Sequence, residues 1–260
     1  MSRNLSEDLA LALEAAKAAD QISLSRYQAQ DLIIETKPDL SPVTDADKAV
    51  ESAFRKLISE KRPDDLVVGE EFGSPDSLIG KYYWVIDPID GTKNFLRGVP
   101  TWATLIALMN EKGESVIGVV SAPALNRTWH AKLGGGAFVQ FNGNERKISV
   151  SKVSQLKDAS ISYSDLQGWG DRRDKFIALQ DKVWRTRGAG DFWAHMLVAE
   201  GAVDISVEPQ LNLWDMAALD VIVREAGGTY TNIAGIPGPH GGSAIASNGL
   251  LHKDFLAELN

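Results

Sequence analysis

The segment WVIDPIDGT, which begins at Trp84, carries two carboxylates in a setting that suits metal or phosphate chemistry. Asp87 ends a β-branched run typical of a buried strand, and the proline that follows is expected to stop that strand. Asp90 comes three residues later, so both carboxylates can converge on a single cation. If Gly91 and Thr92 open a helical turn, their N–H groups would face an anion. The competing interpretation is a turn in which Asp90 caps a helix.

Three further acidic sites have the same character, although each has an ordinary explanation when taken alone. Glu70 follows a short strand and would otherwise belong to a solvated loop. Asp47 lies three residues after Thr44, which is the spacing of a capping box. Asp215 precedes an apolar helical stripe and would otherwise be an ordinary N-cap. Together these carboxylates form a set of hard ligands that suits Mg²⁺ or Mn²⁺ and, through the metal, a phosphorylated substrate.

The composition is that of a globular protein with no thiol chemistry. The 260 residues are 44% hydrophobic and 24% charged, and there is no cysteine, so a metal would rest on oxygen or imidazole ligands. The net charge of -8 and the scattered basic residues disfavour nucleic-acid binding. The longest strongly apolar run, residues 102–109, is too short to cross a membrane, and acidic residues near the N-terminus are unlike a signal peptide. We therefore expect a cytoplasmic protein without a membrane or nucleic-acid partner.

Hydrophobic periodicity predicts mixed helices and strands rather than a simple doubly wound sheet. Asn4, with Glu7 three residues later, predicts a capping box at the start of a long opening helix. The glycine run 134–136 fits a hairpin bend better than a phosphate-binding loop. We expect one domain over 1–260, in two closely packed halves of roughly 1–150 and 151–260. The predicted helices lie at 4–28, after Thr44, and near 171–183, 191–200 and 215–226, with a short one at the end; the predicted strands lie at 66–69, 82–86, 101–109, 116–121, 127–132, 137–141 and near 159–163, 184–187, 203–208, 228–233 and 243–247.

Four sequence blocks resemble the inositol monophosphatase family. They are residues 43–47 (VTDAD), 69–71 (GEE), 84–94 (WVIDPIDGTKN) and 214–218 (WDMAA), and their order and spacing fit the family over nearly the whole chain. The resemblance implies an α+β fold, a layered αβαβα sandwich. It also implies dependence on two or three Mg²⁺ ions, for which Mn²⁺ is a possible substitute, and assembly as a homodimer.

The resemblance also implies a role for each matching residue. Glu70, Asp87 and the Ile89 carbonyl would hold one metal, and Asp87, Asp90 and Asp215 a second, with a third and weaker ion near Glu70. Asp47 and Thr92 would orient the attacking water, and the amides of Gly91 and Thr92 would hold phosphate oxygens. A bound metal lowers the pKa of water. Because no nucleophile with a matching base is evident for a phosphoenzyme, direct attack by water is expected.

The substrate is predicted by a departure from the family pattern at residues 185–193. Inositol phosphatases usually carry small neutral residues there, whereas the combination of Asp191 and Trp193 resembles the histidinol-phosphate phosphatases of the same superfamily. Asp191 would pair with a cationic group of the substrate, Glu208 would accept from an amine or imidazole N–H, and Asn212 would hydrogen-bond the ring.

Other interpretations of this segment stay open. Asp191 could cap the helix, Trp193 could belong to the core instead of stacking on the ring, and His195 is expected to be a packing or surface residue. Arg187 would contact the phosphate or a neighbouring subunit, or serve as a structural ion-pair partner. Alternative substrates are inositol monophosphate, a nucleoside 3',5'-bisphosphate and fructose bisphosphate, and a noncatalytic metal-dependent regulatory protein is the alternative of another class.

Overall fold

A computed structural model describes residues 3–38 and 40–260; Met1 and Ser2, part of the N-terminal segment considered above, and Asp39 lie outside the described residues. The chain opens with the long helix α1 (Leu5–Arg26), followed by a small antiparallel hairpin of β1 (Ile34–Thr36) and β2 (Pro42–Thr44) and by helix α2 (Asp45–Lys61). Both helices agree with the predicted periodicity. The hairpin was not predicted, because its strands have three residues each and β1 is fully exposed.

A seven-stranded sheet forms the larger of two sheets, in the order β3-β4-β5-β6-β7-β8-β9. Its first pair is parallel and the remaining pairs are antiparallel. A single turn of helix, α3 (Thr92–Leu96), joins β4 to β5. The strands are β3 (Leu66–Gly69), β4 (Tyr83–Asp90), β5 (Ala103–Met109), β6 (Ser115–Ala122), β7 (Arg127–Lys132), β8 (Gly136–Phe141) and β9 (Asn144–Lys147).

The second sheet has five strands in the order β11-β10-β12-β14-β13, with β10 parallel to both of its neighbours. Four helices accompany this part of the chain, and the helix that carries Asp215 begins two residues before it. The strands are β10 (Ser160–Tyr163), β11 (Arg185–Gly188), β12 (Ile205–Glu208), β13 (Thr229–Thr231) and β14 (Ala244–Ser247); the helices are α4 (Arg173–Gln180), α5 (Asp191–Ala199), α6 (Leu213–Glu225) and α7 (His252–Leu259).

The elements stack in five layers, which confirms the predicted αβαβα sandwich. Helices α1 and α2 pack on one face of the large sheet, against residues such as Trp84 and Ile106. The opposite face, with Val85 and Leu105, packs on α5 and α6, which also contact the small sheet. Helices α4 and α7 cover the outer face of the small sheet. Because α5 and α6 lie between the sheets, side chains at their N-termini reach residues of both.

Two local predictions need correction. Asn4 does not form a capping box: its side chain accepts from Ser6 N and its amide donates to Glu7, so that Glu7 contacts the side chain instead of the backbone of Asn4. Strand β4 does not stop before Pro88 but continues to Asp90 with a break in register. No helix among the described residues combines the length and the apolar character that crossing a membrane requires.

Candidate active site

Asp87 and Asp90 lie together because β4 contains a bulge. Asp87 is opposite Leu105 and Asp90 is opposite Ala103. Two residues of β4, 88 and 89, therefore stand opposite a single residue of β5, 104. The extra residue turns the end of the strand, and both carboxylates are almost fully buried. One ligand atom from each of Asp87, Asp90 and Asp215 lies within 4.8 Å of the other two, which is a spacing that a single cation can bridge.

Asp215 reaches this group from the first turn of α6. The N-cap of the helix is Asn212, whose N–H donates to Asp215 Oδ2 at 2.6 Å. The interpretation of Asp215 as the N-cap is therefore wrong. Asp215 is the third helical residue, and its side chain accepts from the backbone of the N-cap residue. Sequence reasoning placed the start of the helix late because Leu213 and Trp214 precede the regular apolar stripe.

Asp47 shows that a cap and a site residue can be the same side chain. Its Oδ2 accepts from Thr44 N at 2.8 Å and from Thr44 Oγ1 at 2.5 Å, which completes the predicted capping box. Its Oδ1 is buried and has no hydrogen-bond partner among the described residues. The cap uses one oxygen and fixes the side chain, so the other oxygen is left for a water or an ion.

The carboxylates are held close together at an electrostatic cost. Burial, and then the charges of neighbouring acids such as Glu70, raise the pKa of Asp87 well above its usual value. Burial and the charge of Asp191 do the same to the pKa of Asp90, and burial raises the pKa of Asp47 and of Asp215 to about 7. Asp87 Oδ1 is also buried without a partner among residues 3–38 and 40–260. A hard divalent cation fits this donor set, because it would neutralise the repulsion and coordinate the unpaired oxygens.

Glu70 approaches the same group from the end of β3 and is already paired with a cationic side chain. Lys37 Nζ lies 2.7 Å from Glu70 Oε1 and 2.7 Å from Glu71 Oε1. Burial alone would lower the pKa of Lys37, but its hydrogen bonds to the two carboxylates raise it overall. Lys37 is a site residue that sequence reasoning missed, because it lies in the unpredicted β1–β2 hairpin.

Glu51 is a second residue that was missed, and it holds the Glu70 loop in place. It is fully buried on α2, one turn beyond Asp47, and accepts from the backbone N–H of Glu71 at 2.8 Å and of Phe72 at 3.2 Å. Arg55 Nε donates to it at 2.8 Å. Glu51 therefore ties the loop that carries Glu70 to the helix that carries Asp47.

Gly91 and Thr92 open a helical turn at the start of α3. Gly91 is the N-cap and has a φ of 81°, a left-handed conformation that glycine adopts without strain. An added Cβ there would lie 3.0 Å from Thr101 O. Thr92 Oγ1 donates to the Ile89 carbonyl at 3.0 Å, so it does not bond Asp47 directly. The water-orienting role of Asp47 and Thr92 stays a prediction.

A cavity of about 540 Å³ opens beside the carboxylates. Glu70 and residues 91–94 line one side of it, and Asp191 and Trp193 line another. Trp193 is half-buried and meets Trp129 edge-on, with the ring centroids 5.9 Å apart. It therefore belongs both to the core and to the cavity wall, and the two interpretations of this residue do not exclude each other.

Asp191 has an unusual backbone conformation and links the cavity to the acidic cluster. It is the first residue of α5, after the N-cap Gly190, and has a φ of 55°. Its Oδ2 accepts from Asn94 Nδ2 at 3.2 Å, and the next amide, Phe192 N, donates to Asp90 Oδ2 at 2.6 Å. Asp191 makes no capping bond, so the cap interpretation is wrong. Burial, and then the nearby charge of Glu208, raise the pKa of Asp191 to about 6.

The other predicted substrate residues are not among the described residues that line the cavity. Glu208 is buried at the end of β12, where His195 Nε2 lies 3.0 Å from its Oε1. Arg187 and Asn212 are exposed and do not line this cavity within the described part of the chain. Trp169, which had no predicted role, stacks on Phe176 in the outer core with the ring centroids 3.8 Å apart.

Comparison with known proteins defines the class to which this site belongs. Residues 4–260 match the model of the inositol monophosphatase family. The chain belongs to that family and is a phosphoric monoester hydrolase. It is 56% identical to a histidinol-phosphatase of Mycobacterium tuberculosis over 98% of both chains, and 54% identical to one of Streptomyces coelicolor over 98% of this chain and 97% of the other. An inositol monophosphatase structure from Thermotoga maritima superposes with a TM-score of 0.85 at 30% identity, covering 98% and 97% of the two chains.

Proposed function

We propose that this protein hydrolyses L-histidinol phosphate to L-histidinol and inorganic phosphate, a reaction of histidine biosynthesis. The observation that carries the proposal is the carboxylate of Asp191, which lines the cavity next to the acidic cluster. The like charge of Glu208 repels it, and Lys93 offsets that repulsion only in part. A cationic substrate would relieve this repulsion, whereas a neutral polyol would not. The two histidinol-phosphatases described above support the same substrate.

We further propose that the acidic cluster binds two or three Mg²⁺ ions, with Mn²⁺ as a possible substitute. Glu70, Asp87 and the Ile89 carbonyl would hold one ion, and Asp87, Asp90 and Asp215 a second. When bound there, the metal would lower the pKa of a water molecule and neutralise charge on the phosphate. The unpaired oxygens of Asp87 and Asp47 and the raised pKa values of the cluster support this assignment.

The residues of the chain would contribute mainly by positioning the reactants. Asp47 Oδ1, the free oxygen of its capping box, would accept a proton from the attacking water, with Thr92 holding that water from the other side. The amides of Gly91 and Thr92 would hold phosphate oxygens, which accounts for the tight turn at Gly91. Because these groups are fixed by backbone hydrogen bonds, they would need little rearrangement during the reaction.

Replacement of Asp191 by Asn tests the substrate assignment. Asn keeps the size of the side chain and tolerates the left-handed backbone, so the loss is restricted to charge. We expect kcat/KM for histidinol phosphate to fall by about 10- to 100-fold, as for loss of a charge-assisted hydrogen bond. For inositol 1-phosphate the change should stay within about threefold, since a neutral polyol has no cation to lose.

The same assay in the wild-type protein separates the competing substrates. Histidinol phosphate, inositol 1-phosphate, fructose 1,6-bisphosphate and a nucleoside 3',5'-bisphosphate would be compared by phosphate release with added Mg²⁺. A higher kcat/KM for any of the other three esters would overturn the proposal. Release from none of them would favour a noncatalytic, metal-dependent regulatory role.

We also propose that the protein is cytoplasmic, as its composition suggests, and a homodimer, as the family resemblance implies. Trp184 is 67% exposed and lies next to β11, which is the edge strand of the small sheet. An exposed aromatic side chain beside an unpaired strand edge suits an interface with a second copy of this chain. Sedimentation velocity should therefore show twice the chain mass of 28.2 kDa, and a monomer at micromolar concentration would contradict the proposal.

A further inference from the structure

A buried histidine and a buried carboxylate form a pair behind the wall of the cavity. His195 is fully buried on α5, and its Nε2 lies 3.0 Å from Glu208 Oε1. Glu208 is 3% exposed, and its side chain makes no other hydrogen bond within the described chain. Burial of a carboxylate with a single hydrogen bond is costly, so the orientation of Glu208 depends on His195.

The pair lies close to the part of the cavity that Asp191 lines. His195 is four residues after Asp191 on the same helix, so both side chains lie on one face of α5. In the parallel pairing of β10 and β12, Tyr163 is opposite Val207, and the residue that follows β10, Ser164, lines the cavity, so Glu208 lies at the same edge of the small sheet as the cavity wall. Glu208, at the end of β12, is thus linked through His195 to the helix that presents Asp191.

In the contact between His195 Nε2 and Glu208 Oε1, the histidine is the donor. An ionised carboxylate can only accept, so Nε2 carries the proton and donates to Glu208. His195 Nδ1 is buried and has no hydrogen-bond partner among residues 3–38 and 40–260, and its ring packs 5.7 Å from that of Tyr230. The imidazole is therefore held by packing on one side and uses its one donor to fix Oε1 of Glu208.

We infer that His195 is a positioning residue, which orients Glu208 so that its second oxygen, Oε2, receives the cationic end of the substrate beside Asp191. This inference rests on the proposed function, since it requires a substrate that carries a cationic group. It gives a role to a histidine that the sequence suggested was a packing or surface residue. Because His195 would act through Glu208, its loss should weaken substrate binding more than it slows turnover.

The test compares His195→Phe with His195→Gln. Phe fills the space of the imidazole without a donor, whereas the Gln amide can still donate to Glu208. We expect His195→Phe to raise KM for histidinol phosphate by about tenfold with a much smaller change in kcat, and His195→Gln to restore most of the loss. Isothermal titration calorimetry with L-histidinol, in the presence of Mg²⁺ and phosphate, should show the same order of affinities.

Two controls separate positioning from general damage. His252→Gln alters another buried histidine, which contacts Thr231 and Ser247 and lies in neither site, and it should leave KM unchanged. In a double-mutant cycle, His195→Phe should add little to the loss caused by Glu208→Gln.

Three results are decisive against the inference or its basis. If the wild-type protein prefers histidinol phosphate and His195→Phe keeps its KM, the positioning role is wrong and the proposed function stands. Additive losses in the cycle would also overturn the positioning role. If the wild-type protein shows no preference for histidinol phosphate, the proposed function itself fails, whatever the variants do.

Discussion

Replacement of Asp90 by Asn should reduce kcat/KM by about 10³-fold or more, while the metal-free protein becomes more stable. We expect activity to fall because the cluster of Asp87, Asp90 and Asp215 would lose one of its three negatively charged groups. Stability rises because burial and the charges of Asp191 and Asp215 already disfavour the ionised form of Asp90. Phosphate release measures the activity, and thermal unfolding with and without Mg²⁺ measures the stability: the variant should unfold at a higher temperature than the wild type in EDTA and gain less from Mg²⁺.

Asp220 provides the matched control for this result. It is also a buried carboxylate, on the same helix as Asp215, but it is paired with Arg224 at 2.8 Å and lies outside the cluster. Asp220→Asn should lower stability without changing the response to Mg²⁺. A wild-type response to Mg²⁺ in Asp90→Asn would show that the cluster does not bind the metal.

Gly69→Ala should damage both stability and activity, although it adds a single methyl group. The added Cβ would lie 2.1 Å from Glu51 Oε1, which is far inside van der Waals contact. Glu51 would have to leave the amides of Glu71 and Phe72, and the loop that carries Glu70 would move. We expect a loss of about 1–3 kcal/mol in the free energy of unfolding, and at least about a tenfold fall in kcat. Urea denaturation and phosphate release measure these two quantities.

The clash predicts a specific rescue. Glu51→Ala removes the carboxylate, so Gly69→Ala should cost much less stability in that background than in the wild type. Gly188→Ala is the control for stability, because an added Cβ there has no heavy atom within 4 Å. Equal losses in the two backgrounds would show that Glu51 does not restrict this position.

Local patterns predicted layered helices and sheets and marked the acidic residues, and the family resemblance predicted the five layers. Asp87 and Asp90 follow an apolar run, and the capping box at Thr44 determines where Asp47 points. The same local signals misled where tertiary contacts decide the outcome. A proline normally ends a strand, yet β4 continues through Pro88, because a bulge accommodates it and Thr104 Oγ1 donates to its carbonyl at 2.8 Å.

The residues that support the site were harder to predict because their partners are distant in the sequence. Glu51 contacts amides 20 and 21 residues away, and Lys37 contacts carboxylates 33 and 34 residues away. Nothing in the local pattern distinguishes Glu51 from a solvated helix residue, or His195 from a packing residue. Each of these two side chains contacts a residue outside its own helix, so its role becomes visible only in the folded structure.

The placement of α5 and α6 between the two sheets has a consequence for how catalysis arises. Asp215 enters from the first turn of α6, whereas Asp87 and Asp90 come from the large sheet. The backbone N–H of Phe192, on α5, donates to Asp90 Oδ2 of the large sheet at 2.6 Å. The acidic cluster is therefore complete only when α5 and α6 are packed against the large sheet, and a chain in which they are not docked would hold its acids apart and leave phosphate esters untouched.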